Sequence, residues 1–95
     1  LMILGYADKK TQAFAEGQFV SAFQGFADQA AKRLAILNAA TSVDDLRKMG
    51  SNRLEALSGN RQGQFSIRIN VQWRICFAWR PDENGPGSVE IVDYH

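Results

Sequence analysis

The sequence lacks the residues from which small proteins usually build disulfides and metal sites. It has a single cysteine, Cys76, and a single histidine, His95, among 95 residues. One cysteine excludes an internal disulfide, and one cysteine with one histidine is too few for a zinc site made by protein ligands alone. We therefore expect neither a metal nor a cofactor. We interpret Cys76 as a small strand residue rather than a reactive thiol, because no activating partner lies near it in the sequence.

Long apolar runs are also missing. No stretch approaches the roughly 20 apolar residues that a membrane-spanning helix needs, and the first residues do not show a basic segment followed by a long apolar one. We therefore expect a cytoplasmic protein that does not engage a membrane. Charged residues make up 22% of the chain and hydrophobic residues 45%, which is typical of a folded protein. Length and composition together predict a single domain over residues 1–95.

The C-terminal third of the sequence has the period-two alternation of half-buried β-strands. Apolar and polar residues alternate over residues 64–70 and again over residues 72–80, which is typical of strands with one buried face. Residues 81–87 contain both prolines and two glycines, so they predict a hairpin loop. A further strand is predicted over residues 88–93, and a weaker alternation over residues 52–57 predicts a short one before the block.

The first half of the sequence predicts helices. Residues 3–6 are apolar and predict a short opening strand, and Asp8 then caps a helix over residues 9–16 with Gly17 just past its end. Apolar residues at spacings of three and four predict a longer helix over residues 23–38.

A third, short helix is predicted over residues 43–47, capped by Thr41 or Ser42. Helices placed early and strands placed late predict an α+β fold, in which a small twisted antiparallel sheet of about four strands packs against two N-terminal helices. The other face of the sheet can then stay polar and bind a ligand.

The charges are unevenly distributed along the chain. The net charge of the whole chain is +1, but the part between Arg47 and Arg80 has one acidic residue, Glu55, and a local net charge of +6. The basic residues of this part are Arg47, Lys48, Arg53, Arg61, Arg68, Arg74 and Arg80. Such an excess is typical of a surface that binds a polyanion, and arginine suits phosphate because its planar fork donates in pairs. The alternative is an ordinary solvated strand face, which also carries polar residues.

The last three residues, Asp93, Tyr94 and His95, form the second candidate group. His95 is the only side chain whose unperturbed pKa, about 6.5, suits proton transfer near neutral pH. In an extended strand Asp93 and His95 share a face and Tyr94 points the other way, so the three act together only if the chain end bends. The alternative is a frayed terminus. Trp73 and Trp79 share the alternate positions of Ile75 and Phe77 and are therefore expected to face the core. This leaves Tyr94 as the better candidate for stacking on a base.

Three segments resemble one known family. They are GNRQGQFSIRIN at residues 59–70, QWRICF at residues 72–77 and the terminal DYH at residues 93–95. Together they closely resemble the HigB toxins, including the GraT type, within the RelE/ParE toxin superfamily, and the resemblance extends over nearly the whole chain. It implies a small antiparallel sheet backed by helices, in agreement with the fold predicted from the residue pattern.

The resemblance also implies a function. Toxins of this family enter the aminoacyl site of the ribosome, cut translated messenger RNA, and are held inactive by a HigA antitoxin with a helix-turn-helix domain, through which the complex binds operator DNA. It implies catalytic residues at Asp93, Tyr94, His95 and Arg74. The RNA-binding residues that we expect with them are Arg53, Arg61 and Arg68. Some relatives have a histidine where this chain has Glu55 and a lysine where it has Ser58, so an acid-base role of that histidine either passes to Glu55 or is absent from this chain.

We therefore hypothesise metal-independent cleavage, in which the ribose 2′-hydroxyl attacks the adjacent phosphorus. His95 acts as acid or base, Asp93 orients or charges it, and Arg68 and Arg74 stabilise the phosphate. Tyr94 stacks on a base or supplies a hydroxyl. Two other functions remain open. A ParE-like toxin binds DNA gyrase without cutting RNA, although it needs no ionisable cluster at the terminus, and a plain RNA-binding domain would bind with a strong salt dependence.

Overall fold

The computed structural model of the chain describes residues 3–93. Its α+β architecture confirms the prediction, with helices in the first half and one sheet after them. Within these residues the α-helices and β-strands are α1 (Lys9–Ala15), α2 (Ala27–Ala39), α3 (Val43–Lys48), β1 (Glu55–Ala56), β2 (Gln64–Arg68), β3 (Trp73–Ala78) and β4 (Gly87–Asp93). The strands form an antiparallel sheet in the order β1-β2-β3-β4, so each strand pairs with its neighbour in sequence. No helix in this part of the chain is both long and apolar enough to cross a membrane.

Helix α1 begins at the predicted residue and ends one residue earlier than predicted, at Ala15. The Asp8 side chain accepts a hydrogen bond from the backbone N–H of Thr11 at 2.8 Å, and Gly17 adopts a φ of +93° after the last turn. The prediction of an opening strand over residues 3–6 was wrong. Instead of a strand, this segment makes an isolated parallel bridge between Tyr6 and Val89, because the chain turns away into α1 only a few residues later.

The long helix begins later than predicted. A 3₁₀-helix occupies Ser21–Phe26, and Phe26 then leaves helical geometry with a φ of −140° before α2 begins at Ala27. The apolar stripe itself is confirmed, since Ala30 and Leu34 of α2 are buried in the core. The boundary was missed because residues three apart share one face in both kinds of helix.

Two residues cap helix α3 in a reciprocal way. The Ser42 hydroxyl accepts from the backbone N–H of Asp45 at 3.2 Å, as predicted for one of the two alternatives. The Asp45 carboxylate in turn accepts from Thr41, from its N–H at 2.9 Å and from its hydroxyl at 2.5 Å. This capping box therefore uses Asp in the place usually taken by Glu, and its carboxylate bonds Thr41, one residue before the cap Ser42.

The core lies between the helices and one face of the sheet. Its strand residues come from alternate positions of β2, β3 and β4, and those that are fully buried are Ile67, Ile75, Phe77 and Val89. Trp73 packs against Phe26 with ring centroids 4.7 Å apart. Trp79 is also buried, and its Nε1 donates to the Glu83 carbonyl at 3.1 Å. The prediction that both tryptophans face the core is therefore confirmed.

Candidate functional site

The second face of the sheet, defined by Ser66, Arg68, Arg74, Cys76 and Glu90, points away from the core. The register aligns Ser66 with Cys76 and Cys76 with Glu90 across three strands, and it pairs Arg68 with Arg74. Residues that lie opposite one another in a sheet share a face. Two of the predicted arginines therefore lie side by side at the end of the β2 and β3 strands.

Arg74 is held in a fixed position on this face. Its Nε donates to the Ser66 hydroxyl at 2.7 Å, and its Nη2 donates to the backbone carbonyl of Arg53 at 2.5 Å. The Glu55 carboxylate lies 3.3 Å from the same Nη2. Only 11% of the Arg74 side chain is exposed. The guanidinium is therefore oriented before any ligand arrives.

The backbone at Arg53 contributes to this arrangement. Arg53 follows the 3₁₀-helix Gly50–Asn52 and adopts the left-handed conformation, with a φ of 48° and a ψ of 50°. A residue other than glycine seldom adopts a positive φ, and such residues are common at functional sites. In this conformation the Arg53 carbonyl accepts the hydrogen bond from Arg74. The link thus connects the loop before β1 to the third strand.

An open cleft of about 510 Å³ lies above Arg74, and we call it the first cleft. Its lining residues are Arg53, Leu54, Glu55, Arg68, Asn70, Val71 and Arg74. Three of them are arginines and one is a carboxylate, so the cleft carries excess positive charge. Its rim is the turn between β2 and β3, where the Asn70 side chain accepts from the N–H groups of Gln72 and Trp73 at 2.8 Å each. The turn therefore has a defined shape.

Arg61, the third arginine predicted to bind RNA, does not line the first cleft. Its guanidinium donates to Glu90 at 3.2 Å and to Gln64 at 3.1 Å. Cys76 lies between this pair and Arg74 and is fully buried. Burial raises the pKa of the Cys76 thiol, and Glu90 acts in the same direction while Arg61 and Arg74 oppose it. Among the described residues, no group of histidine, cysteine and acidic side chains could hold a metal ion.

Asp93 lies on the other face of the sheet from Arg74. It pairs with Trp73 in the register, so it shares the face that packs against the helices. Its carboxylate accepts from the side chain of Gln72 at 2.9 Å. Tyr94 and His95 lie outside the described residues, so the combined role predicted for the three terminal residues stays a prediction.

Sequence reasoning missed Ser66, which orients Arg74. A signal for it was present, because Ser66 lies two residues before Arg68 in the alternating segment and so shares its face. Glu55 was considered only as a replacement for a histidine of some relatives. The structure instead places it as the carboxylate partner of Arg74.

A comparison with protein families gives a match over nearly the whole chain. The family described as the RelE-like toxin of type II toxin-antitoxin system HigB matches residues 6–95. Among curated proteins, Toxin HigB-1 of Vibrio cholerae is 48% identical over 48 residues, which cover 50% of each chain. An uncharacterized protein of Haemophilus influenzae is 32% identical over 53 residues, or 56% of this chain and 52% of that protein. These alignments span about half the length of the curated relatives.

Solved structures share the fold at low sequence identity. The YoeB/ParE toxin from Agrobacterium tumefaciens superposes with a TM-score of 0.61 over the whole of both chains at 10% identity. A structure of the YoeB-YefM complex from Staphylococcus aureus gives 0.55 at 23% identity, covering 100% of this chain and 97% of that one. At these identities the likeness shows the fold alone. The family match over residues 6–95 shows that the chain belongs to the HigB family of RelE-like toxins of type II toxin-antitoxin systems.

Proposed function

We propose that the chain is a ribosome-dependent endoribonuclease that cuts translated messenger RNA in the aminoacyl site without a metal ion. The observation that carries this proposal is the fixed Arg74 guanidinium at the first cleft, beside Arg53 and Arg68. Cleavage of this kind requires fixed positive charge where the attacked phosphate becomes a phosphorane. A guanidinium that is already oriented supplies that charge with little reorganisation during the reaction.

The hydrogen bonds of Arg74 leave one nitrogen of its guanidinium group available to a substrate. The hydrogen bonds to Ser66 and to the Arg53 carbonyl employ Nε and Nη2, and we assign Nη1 to a phosphate oxygen. Arg68 lies directly opposite Arg74 in the register and is partly exposed. It can therefore bind a second oxygen of the same phosphate, because a guanidinium donates two parallel N–H groups to phosphate oxygens.

The proton transfers are assigned to the chain terminus. A base removes the proton of the 2′-hydroxyl, the oxygen bonds to phosphorus, and the bond to the 5′-oxygen breaks as that oxygen takes up a proton. The products are a cyclic phosphate and a free 5′-hydroxyl. We assign one of these transfers to His95, with Asp93 orienting it and Tyr94 stacking on a base or lending its hydroxyl.

The partners follow from family membership. We propose a HigA-type antitoxin with a helix-turn-helix domain as the inhibitor, and contact with operator DNA only through that complex. The family is defined by its place in type II toxin-antitoxin systems, and the solved Staphylococcus aureus complex shows YoeB together with YefM. A protein that acts on translating ribosomes works in the cytoplasm.

The test maps RNA ends by primer extension on translating ribosomes with a defined messenger RNA. We expect discrete cuts within codons for the intact chain, and a loss of about a hundred-fold or more for Arg74→Ala and for His95→Ala. Arg80→Ala is the matched control, since Arg80 is exposed and does not line the first cleft.

Two results would change the proposal in different ways. If His95→Ala cuts as well as the intact chain, the proton transfers do not occur at the terminus and Glu55 becomes the candidate base. If the intact chain makes no cuts, the nuclease is wrong, and an assay of DNA gyrase supercoiling tests the ParE-like alternative.

A further inference from the structure

A second cleft adjoins the first at the turn between β2 and β3. It has a volume of about 430 Å³ and extends from the shared residues to Gln29 and Arg33 of α2 and to Ser51. The residues common to both clefts are Arg53, Arg68, Asn70 and Val71. The two clefts therefore form one basic trough that leads from the second face of the sheet to the surface of α2.

Hydrogen bonds to Ser51 and Asn52 hold the Arg33 side chain in place in this second cleft. Its Nη1 donates to the Asn52 side chain at 2.7 Å and lies 3.3 Å from the Ser51 hydroxyl. Asn52 is fully buried, and its own amide donates to the Leu46 carbonyl at 3.0 Å. A buried side chain whose amide oxygen and nitrogen are both hydrogen-bonded does not move easily. Arg33 is thus oriented by the loop after α3, much as Arg74 is oriented by Ser66.

The lining of the second cleft has the chemistry of a nucleic-acid backbone site. None of the described residues that line it is acidic, and three of them, Arg33, Arg53 and Arg68, are arginines. Val71 lies on the wall between the clefts with 88% of its surface exposed, so it offers an apolar contact to a base. A row of positive charges with such a contact suits a flexible single strand rather than one isolated phosphate.

We propose that the second cleft binds the backbone of the same single-stranded RNA, next to the phosphate that is cut. Arg33 is the phosphate ligand of this subsite and Val71 contacts the intervening base. The inference rests on the proposed function, because it assigns the first cleft to RNA. It adds that at least one further nucleotide is held by α2 and the loop after α3, elements to which the sequence assigns no role.

The experiment measures binding of labelled oligouridylates, from a trinucleotide upward, by fluorescence anisotropy. Because the proposed cleavage requires the ribosome, the free chain leaves unmodified RNA intact. For the intact chain we expect affinity to rise with length as the second cleft is reached. Gln29→Glu puts a negative charge into that cleft without removing a described contact of Arg33. Gln29→Glu should reduce the affinity for the longer oligonucleotides about ten-fold more than the affinity for the trinucleotide. Gln24→Glu, on the exposed surface outside both clefts, is the matched control.

A second pair of variants tests Arg33 itself. Affinity falls as salt rises, and Arg33→Gln should make this fall shallower for the longer strands. The slope of log affinity against log salt should become less negative by about 0.7, the value for one lost phosphate contact with a single strand. Lys32→Gln removes the same charge from the neighbouring position of α2, but Lys32 lines neither cleft, and it should leave the slope nearly unchanged. Circular dichroism confirms that each variant is folded.

The outcomes separate this inference from the proposed function. If affinity does not rise with length, or if Gln29→Glu and Gln24→Glu behave alike, the second cleft is not an RNA subsite even though the first remains one. If the trinucleotide binds Arg74→Gln as well as it binds the intact chain, the first cleft does not bind RNA and the proposed function fails. Absence of binding at every length overturns the second cleft as an RNA subsite of the free chain, whereas the ribosome assay decides the proposed function.

Discussion

Arg74 contacts both the hydroxyl and the backbone carbonyl of Ser66. The Nε of Arg74 donates to the Ser66 Oγ at 2.7 Å, and its Nη2 lies 3.4 Å from the Ser66 carbonyl oxygen. The two residues belong to neighbouring strands, and Ser66 is fully buried. The hydrogen bond is therefore shielded from water, and bonds to charged groups in such places are among the stronger ones. A residue without reactivity of its own thus determines where the guanidinium lies.

Replacing Ser66 by alanine should affect both stability and function. Loss of a hydrogen bond to a charged group lowers the free energy of unfolding by about 2 kcal/mol, and Arg74 loses the partner that orients Nε. We expect a lower urea midpoint together with weaker cleavage in the ribosome assay. Ser58→Ala is the control, because Ser58 is exposed. Unchanged cleavage in Ser66→Ala would show that the Arg53 carbonyl and Glu55 orient Arg74 without Ser66.

The strands could be predicted because one face of each must be buried, which imposes alternation on Phe65 and its neighbours. The start of α2 could not be predicted, because Phe23 and Phe26 are three residues apart and this spacing fits a 3₁₀-helix as well as an α-helix. The sequence also contained a signal that Asp93 lies on the core side. Val89 and Ile91 alternate on that face, and Asp93 is the next residue of the series.

The candidate site was only partly predictable for a different reason. Charge patterning identifies arginines, but it does not show which of them pair with acids that are distant in sequence. Arg61 is 29 residues from Glu90, and only the sheet brings the two together. The Arg53 carbonyl is a backbone atom, and its position depends on a left-handed conformation that no residue pattern at this position indicates.

The capping box of α3 should produce a dependence of stability on pH. Hydrogen bonds from the Thr41 hydroxyl and N–H lower the pKa of the Asp45 carboxyl below its ordinary value of 3.8. A carboxyl whose pKa is lower in the folded state stabilises that state above the ordinary value, and this contribution is lost as the pH falls through the folded-state pKa. Asp45→Asn should therefore unfold more easily than the intact chain at neutral pH, with the difference narrowing below 3.8.

Urea midpoints measured from neutral to acidic pH check this prediction. Asp44→Asn is the matched control, because it removes the same charge from the same turn of α3. Asp44→Asn also loses the exposed ion pair between Asp44 and Arg47. An equal loss of stability in both variants at neutral pH would therefore show that the hydrogen bonds from Thr41 contribute no more than that ion pair and the helix dipole.

Cys76 should be inert in the folded chain. Its thiol is fully buried and burial raises its pKa, so the reactive thiolate is scarce and shielded from reagents. We expect a disulfide reagent to react about a hundred-fold more slowly with the native protein than with the protein in urea. Ser58→Cys adds an exposed thiol and should react rapidly in the native state. Equal rates for Cys76 in native buffer and in urea would mean that the sheet opens readily.

Glu55 opposes the phosphate in the first cleft, since its carboxylate is 56% exposed and lies 3.3 Å from Arg74. Removing this charge by Glu55→Gln should raise the affinity for single-stranded RNA about two- to five-fold at low salt, the range of a partly exposed ion pair. The gain should disappear at high salt because screening weakens the repulsion. Glu16→Gln makes the same change in net charge outside the cleft and should have no such effect. A fall in affinity for Glu55→Gln would instead show that Arg74 needs Glu55 to hold its position, so that the carboxylate prepares the cleft for RNA rather than opposing it.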